Sequence, residues 1–491
     1  MLCIGGGPAG LTAAYELVKY GREVLVLEAD PEYVGGIART IRQGGFCFDI
    51  GGHRFFSKSV EVTGWWKEVL GDDLLVRPRK SRIYYAGKFY PYPLDLLKTL
   101  ENLGIVESSL CVLSYLKARL LPNRNPKNFE EWVTNQFGAR LFRIFFKTYT
   151  EKVWGMNCRD IAADWAAQRI KGLSLAAALQ NALAGALGWK RGQGKIKTLI
   201  EQFLYPRLGP GMMWEAAARK IEAQGGKVQL GTRVEHMRRD TATGQWQVTA
   251  SGAHGEQTFI CQQVISTMPL RELAHAVEGT PPHVLAAANK LGYRDFLTVA
   301  LVLEDRKMFD DNWIYVHAPE VQVGRIQNFK AWSPDMVSAP GLVCYGLEYF
   351  CFEGDGLWQS SDDDLIALAT RELVQLGLAH ADDVRGGYVV RQKKAYPVYD
   401  ATYEANVDII RQWLERDCPN LQVVGRNGMH KYNNQDHSMM TAMLAVKNIL
   451  AEKTVYDVWQ VNQDAEYHEE GASVGAAGER LVPRPLHVDA K

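Results

Sequence analysis

The chain has 491 residues, enough for about three domains of roughly 150 residues each. Hydrophobic residues make up 47% and charged residues 23%, the balance of a soluble globular protein, and 56 basic against 56 acidic side chains leave no formal net charge. Neutrality argues against a protein that coats nucleic acid through a basic surface. No apolar run reaches the roughly 18 residues of a transmembrane helix, and Gly5 interrupts the first apolar segment, so no signal peptide is expected. The eight cysteines, at 3, 47, 111, 158, 261, 344, 351 and 418, contain no C-x-x-C pair. They suggest neither a zinc site nor a disulfide framework, no metal is expected, and a reducing, cytoplasmic setting is the default.

In chain order, Leu2–Ile4 reads as a short strand, which leaves open a start a few residues upstream. A glycine turn follows, then a helix over Leu11–Tyr20 with Leu11, Ala14, Leu17 and Val18 on one face. Gly21 ends the helix, and Glu23–Glu28 is a buried strand. Residues from about 98 to 200 read as helical, with helix-period apolar positions over Pro126–Tyr149 and Asp164–Leu187. Strands are predicted at Lys227–Leu230, Thr258–Thr267, Phe296–Leu303, Trp313–Val316 and Leu342–Phe350. Helices return at Asp364–Leu376 and Val407–Glu415. A last strand, Leu421–Gly425, leads through a loop to a helix over about His437–Ala451, capped by Asn434 or Asp436. Beyond about 455 the polar, Gly/Ala-rich sequence reads as a loosely held tail.

Chemistry concentrates at the start of the chain. Gly5-x-Gly7-x-x-Gly10 combines a glycine for the tight turn, one for close approach to a pyrophosphate and one for helix packing. Pro8 and Ala9 open the helix whose N-terminus faces the phosphates. Glu28, ending the second strand, is placed to accept bonds from a ribose hydroxyl. Strand, turn, helix, strand and acid together point to a dinucleotide. Val34-Gly35-Gly36-Ile37-Ala38-Arg39-Thr40 resembles the flavoprotein pattern of the amine oxidase and phytoene desaturase superfamily, which implies FAD. In Phe48-Asp49-Ile50-Gly51-Gly52-His53, the glycines let backbone approach a flat ring. His53 could sit beside such a ring, but on its own it reads first as a structural histidine satisfied by backbone.

Further segments resemble UDP-galactopyranose mutases, in the same order. They are Gly51-Gly52-His53, Tyr90-Pro91-Tyr92-Pro93, Asn128–Trp132 followed by Tyr149–Gly155 with Trp154, and Asp164–Arg169. Gly324–Phe329, Ala395-Tyr396-Pro397, Gly425-Arg426-Asn427-Gly428, Lys431-Tyr432 and Asn434–Ser438 complete the series. The resemblance implies an α/β fold: a discontinuous Rossmann-like FAD-binding domain (1–60, 200–270, 390–455), a helical domain (98–199), an antiparallel-sheet substrate domain (61–97, 271–389) and a tail (456–491). It implies that FAD is held by Gly5, Gly7, Pro8, Ala9, Gly10, Glu28, Gly36, Arg39, Gly52, His53, Val234, Gly425, Arg426, Asp436, Ser438 and Met439. It implies a redox-neutral ring contraction of a nucleotide sugar on reduced flavin, with NADH or NADPH as candidate reductant. His53, Arg169, Arg325, Tyr396 and Tyr432 would serve catalysis, and the last four, with Tyr92, Trp154, Trp313 and Tyr315, would bind substrate. Arginine suits this task because its fork grips phosphate and never loses its charge. Two departures leave the nucleotide and sugar open: a shorter loop between Tyr432 and Gln435, and an unmatched stretch Leu187–Gly194. A flavin-dependent oxidase or desaturase acting on another small molecule, with protoporphyrinogen oxidase as the pattern, is the alternative.

Overall fold

The computed structural model describes residues 1–92, 94, 96–161, 163, 201–253, 255–462, 483, 485 and 486. The helix expected over Asp164–Leu187, Arg169 within it and the stretch Leu187–Gly194 lie outside the described residues.

Five short parallel strands form one sheet, in the order Leu421–Val423, Val264–Ser266, Leu2–Ile4, Leu25–Leu27, Lys227–Gln229. Leu2 pairs with Val264 on one side and Leu25 on the other. Leu2–Ile4 is wholly buried, as continuous apolar strands are when helices cover a parallel sheet. Helices Pro8–Lys19, Gly211–Ala223 and Gln435–Leu450 share its core through Leu11, Leu17, Trp214 and Met443. The single strand expected over Thr258–Thr267 is two. Gly255–Cys261 belongs to a three-stranded antiparallel meander with Thr232–Arg239 and Trp246–Gly252, whereas Val264–Ser266 joins the parallel sheet. The first has a partly solvated alternating pattern and the second is buried on both faces, a change of setting that an apolar run does not reveal.

The second large sheet has seven strands, in the order Val384–Pro397, Tyr293–Glu304, Leu342–Cys351, Arg325–Asn328, Trp313–Val316, Ser81–Tyr85, Lys88–Pro91. All neighbours are antiparallel except Trp313–Val316 with Ser81–Tyr85. Val384–Pro397 has no counterpart among the predicted strands. It is an edge strand, and its half-exposed Arg385, Arg391, Gln392, Lys393 and Lys394 hide it among polar residues. Residue 390, the expected junction between two domains, falls inside it.

The helical unit contains Leu96–Leu103, Ile105–Leu120, Phe129–Phe142, a π-helical turn over Arg143–Lys147 and Thr148–Trp154. The expected continuous helix over Pro126–Tyr149 is therefore broken. Gly138 has φ 81° and ψ 152°, and a Cβ there would lie 2.6 Å from the backbone nitrogen of Tyr115. The backbone turns at Gly138 because the neighbouring helix passes too close for a side chain. The chain also stays held past 455. Lys431 Nζ donates to the carbonyls of Trp459 (2.9 Å) and Val461 (2.5 Å), and Asn462 Nδ2 donates to the Tyr432 carbonyl at 3.1 Å.

Gly138→Ala is expected to destabilise the protein by about 2 kcal/mol or more, since it adds both backbone strain and a clash with backbone atoms. Urea unfolding checks this; a midpoint equal to that of the parent would contradict it.

Candidate active site

Two glycine turns clasp each other at the end of the parallel sheet. A Cβ on Gly5 (φ 98°) would meet Thr267 Oγ1 at 2.0 Å, and one on Gly10 would meet the Gly5 carbonyl oxygen at 1.9 Å. The Gly35 N–H donates to the Gly6 carbonyl at 2.8 Å, and a Cβ on Gly36 would lie 3.4 Å from Gly7 Cα. Helix Pro8–Lys19 begins at Gly7 with no side-chain cap and with Pro8 at its first turn, so its leading N–H groups are available to an anion. Ala9 is buried against the closing loop, 3.0 Å from where a Cβ of Gly425 would be.

Glu28 is anchored at the same place. Its Oε2 accepts the Gly6 N–H at 2.6 Å and its Oε1 the Asp30 N–H at 2.8 Å. Burial raises its pKa, and these two bonds oppose the rise. Each oxygen keeps a second lone pair for a ribose hydroxyl. The Glu28 carbonyl accepts the Thr232 N–H at 2.8 Å, which sets the strand carrying Val234 beside it. Arg39 Nη1 donates to the Gly36 carbonyl (2.9 Å) and to Gln392 Oε1 (2.6 Å), so it pins the second turn to the edge of the seven-stranded sheet. Close backbone approach, an uncapped helix N-terminus and a carboxylate with spare lone pairs fit the adenosine diphosphate half of FAD.

The other half of the site is built around Gly51-Gly52-His53. A Cβ on Gly52 would lie 2.8 Å from Gln327 Nε2, and one on Gly51 would lie 3.5 Å from Arg325 Nη2. Gln435 Nε2 donates to the His53 carbonyl at 3.4 Å and accepts, through Oε1, the Trp214 indole N–H at 3.1 Å. This ties the loop to the start of the closing helix. Asn434 caps that helix, and the Asn434 N–H donates to His437 Nδ1 at 3.3 Å to complete a capping box. Asp436 is buried there, and burial pushes its carboxyl up to about 7 against the pull of the Ser57 hydroxyl. The Ser438 N–H is already used within the helix, donating to the Asn434 carbonyl at 2.9 Å. Met439 turns its sulfur inward, where it accepts the Trp66 indole N–H at 3.0 Å. Its side chain is therefore part of the core.

Arg325 lies beneath the glycine loop. Its Nε donates to Glu348 Oε2 at 2.6 Å, and its Nη2 lies 2.6 Å from the same oxygen. Glu348 is fully buried, and its Oε1 accepts Gln327 Nε2 at 2.7 Å; Gln327 Oε1 in turn accepts the Trp332 indole N–H at 2.8 Å. Burial alone would lower the Arg325 pKa, but the Glu348 charge holds it well above the ordinary value.

Around Arg325 the sheet and helical unit bring Tyr92, Trp154, Tyr315, Tyr396 and Tyr432 into one cluster, with Trp313 against Tyr315. Tyr396 and Tyr432 stack, with ring centres 5.5 Å apart and planes 12° apart, and Trp154 lies 6.4 and 6.3 Å from them. Arg426 covers both tyrosine rings, at 5.4 and 4.8 Å, and donates to the carbonyls of Asn433 and Ala395. On the other side Tyr315 packs on Tyr92 (4.6 Å), Tyr149 (5.5 Å) and Trp313 (6.3 Å). Arg79 lies 5.6 Å from the rings of both Tyr92 and Trp313. His53 Nδ1 and Trp313 Nε1 are buried and have no hydrogen-bond partner among the described residues, as expected of groups that face a ligand. Burial and the charges of Arg426 and Arg325 push the His53 pKa down to about 3, so its ring is neutral.

Glu348 and Arg79 escaped the sequence reading, and Gln327 and Tyr149 stood in the resembling segments without a role. Glu348 left one trace, a lone acid in the apolar run Leu342–Cys351, which is the mark of a buried charge with a partner. Among the described residues no cluster of His, Cys, Asp and Glu could hold a metal ion, and no helix is long and apolar enough to cross a membrane.

Comparison with known proteins agrees with this architecture. A crystal structure of reduced UDP-galactopyranose mutase superposes with a TM-score of 0.79, covering 92% of this chain and 94% of that one at 22% identity. A fatty acid isomerase from P. acnes that produces CLA superposes with a TM-score of 0.58 over 92% and 97% of the two chains at 14% identity. Both show a shared fold. In sequence, mitochondrial protoporphyrinogen oxidase of Nicotiana tabacum is 23% identical over 473 residues, covering 86% of this chain and 90% of that protein. An inactive all-trans-retinol 13,14-reductase of Danio rerio is 47% identical over 51 residues, only 8% of its length. The family model described as flavin containing amine oxidoreductase matches residues 8–434, from the first residue after the glycine turn to the cap of the closing helix. A match of that extent assigns the chain to the flavin containing amine oxidoreductases.

Proposed function

We propose that the chain is an FAD-dependent enzyme that rearranges a nucleotide sugar without net oxidation, in the manner of UDP-galactopyranose mutase. The observation that carries this reading is the placement of Arg325 beside the Gly51-Gly52-His53 loop, enclosed by Tyr149, Tyr315 and Tyr396. A guanidinium opposite a loop shaped for a flat ring suits a diphosphate that must leave and return while staying bound. The full-length structural likeness to the mutase supports the reading at the level of fold.

Reduced flavin, when bound, supplies the electron-rich centre for substitution at the anomeric carbon, so the protein needs no nucleophile of its own. The remaining roles belong to the chain. Arg325 pairs with Glu348 through Nε and Nη2, and its Nη1 would donate to phosphate oxygens. Burial and the neighbouring Tyr432 keep the Tyr396 phenol protonated, so it serves as a neutral donor. Trp154 and Arg426 hold the Tyr396–Tyr432 stack in place, and Trp313, Tyr315 and Tyr92 form the opposite wall. Neutral His53 shapes the flavin face and carries no charge to it. Arg169 joins Arg325 as the second phosphate ligand on the strength of the family resemblance.

The likeness to protoporphyrinogen oxidase along most of the chain supports a second reading, net oxidation of a small molecule. One experiment separates the two. UDP-galactopyranose and UDP-galactofuranose are incubated without oxygen with dithionite-reduced and with oxidised protein, and the products are separated by chromatography. Interconversion in the reduced sample alone is expected. Bleaching of oxidised flavin by substrate would favour net oxidation, and no reaction in either state would remove both sugars from consideration.

Three predictions concern single residues. Arg325→Lys keeps a charge for Glu348 but loses the fork, and is expected to raise KM about tenfold, equivalent to ~1.4 kcal/mol, with a smaller change in kcat. Arg325→Ala instead strands a buried carboxylate and is expected to cost about 3 kcal/mol or more of stability by urea unfolding. Because His53 is held neutral, kcat/KM is expected to show no inflection from it between about pH 5 and 8. An inflection near the ordinary histidine pKa in the parent that vanishes in His53→Gln would instead make His53 a proton carrier.

A further inference from the structure

Among the described residues sixteen large hydrophobic side chains are exposed, and seven of them lie between residues 105 and 121. The other nine are spread over the rest of the chain, which is ordinary for a protein surface. The helix Ile105–Leu120 turns Cys111, Tyr115 and Ala118 inward onto a cluster that includes Phe129, Val133 and Phe137. Its outer face carries Ile105, Val106, Leu113, Leu116 and Leu120, each 47% to 88% exposed, and Leu121 continues it. A helix that is apolar on both faces has a use for the second one.

The charges around this face are one-sided. Lys117, Arg119, Arg124 and Lys127 are exposed and enter no ion pair among the described residues. The one acid between 105 and 127 is Glu107, which Arg140 grips through Nε and Nη2 at 2.5 and 2.7 Å. In a chain of zero net charge, this places a cationic fringe at one end of an aliphatic stripe.

We propose that this face docks the protein on an anionic lipid surface, with the helix lying in the plane of the headgroups. A stripe of leucine and isoleucine enters the acyl boundary while lysine and arginine meet lipid phosphates. Sixteen residues span only about 24 Å, short of the roughly 30 Å of a bilayer core, so the helix lies on the membrane and does not cross it. A second copy is a poorer match for the cationic fringe, because the acids beside the stripe, Glu107 and Glu131, are already held by Arg140 and by Asn123 with the Lys127 N–H. The inner face of the same helix belongs to the cluster that contains Tyr92, Tyr315, Tyr396 and Tyr432, so docking would set the aromatic pocket close to the lipid.

The test is co-sedimentation of the purified flavin-loaded, full-length protein with two kinds of vesicle, phosphatidylcholine alone and phosphatidylcholine with about one third phosphatidylglycerol. Binding to the anionic vesicles is expected, falling at least about tenfold on pure phosphatidylcholine. The triple variant Leu113→Gln, Leu116→Gln, Leu120→Gln is expected to lose binding at least about tenfold with unchanged melting temperature and flavin absorbance. Lys117→Gln with Arg119→Gln is expected to lose most of the preference for anionic lipid. Three results would overturn the proposal. They are no sedimentation with either vesicle, a parent dimer on size exclusion that the triple variant converts to monomer, or a lowered melting temperature in the triple variant, which would mean the face is already covered within the protein.

Discussion

A single buried ion pair organises the pocket. Arg325 and Glu348 occupy adjacent strands in register, and their side chains meet on the face toward the glycine loop. An isolated charge in that position would cost several kcal/mol, and the pair is tolerable because Gln327 and Trp332 extend the hydrogen bonding into the core. Strand register thereby sets where a guanidinium can sit. It also sets the charge the pocket presents, since a cation already matched by a carboxylate attracts a diphosphate less than a bare one. Further positive potential comes from Arg426 over the tyrosine stack, from Arg79 between Tyr92 and Trp313, and from Arg54 beside Trp313.

The rest of the structure delivers partners to this pair from distant parts of the chain. The parallel sheet brings residues 2–4, 25–27, 227–229, 264–266 and 421–423 together, so that the first glycine turn and the closing helix end side by side. The edge strand Val384–Pro397 brings Tyr396, and the loop held by Lys431 and Asn462 brings Tyr432 to stack on it. Thr148–Trp154 supplies Trp154 from the helical unit. Each tyrosine is fixed by packing and by backbone bonds of its neighbours.

The helical unit serves two environments. Its inner aromatic face completes the pocket, and the break at Gly138 lets two helices approach closely enough to do so. Its outer face is aliphatic and cationic. One element thus carries an aromatic pocket wall on one face and an exposed aliphatic stripe on the other.

Some of this was legible from residue order. The glycine spacing, Glu28, the second glycine pair and Arg39 are local, because a turn, a close approach and a helix start are decided within a few residues. The family resemblance named Arg325, Tyr396, Tyr432, Trp154 and Arg426 as site residues, and the fold class followed from it. Other features depend on contacts between residues far apart in sequence. The split of Thr258–Thr267 between two sheets, the polar edge strand, the break at Gly138 and the inward turn of Met439 have no local signature. Neither has the partnership of Arg325 with Glu348, because a lone acid in an apolar strand announces a partner without naming it. By itself the sequence determined a glycine turn, a helix start and an acid of the kind that suits a dinucleotide, because backbone geometry there is set by glycine. Only the tertiary structure decided which cation lies against the Gly51-Gly52-His53 loop and with what neutralising partner, because strand register, a long-range property, places those side chains.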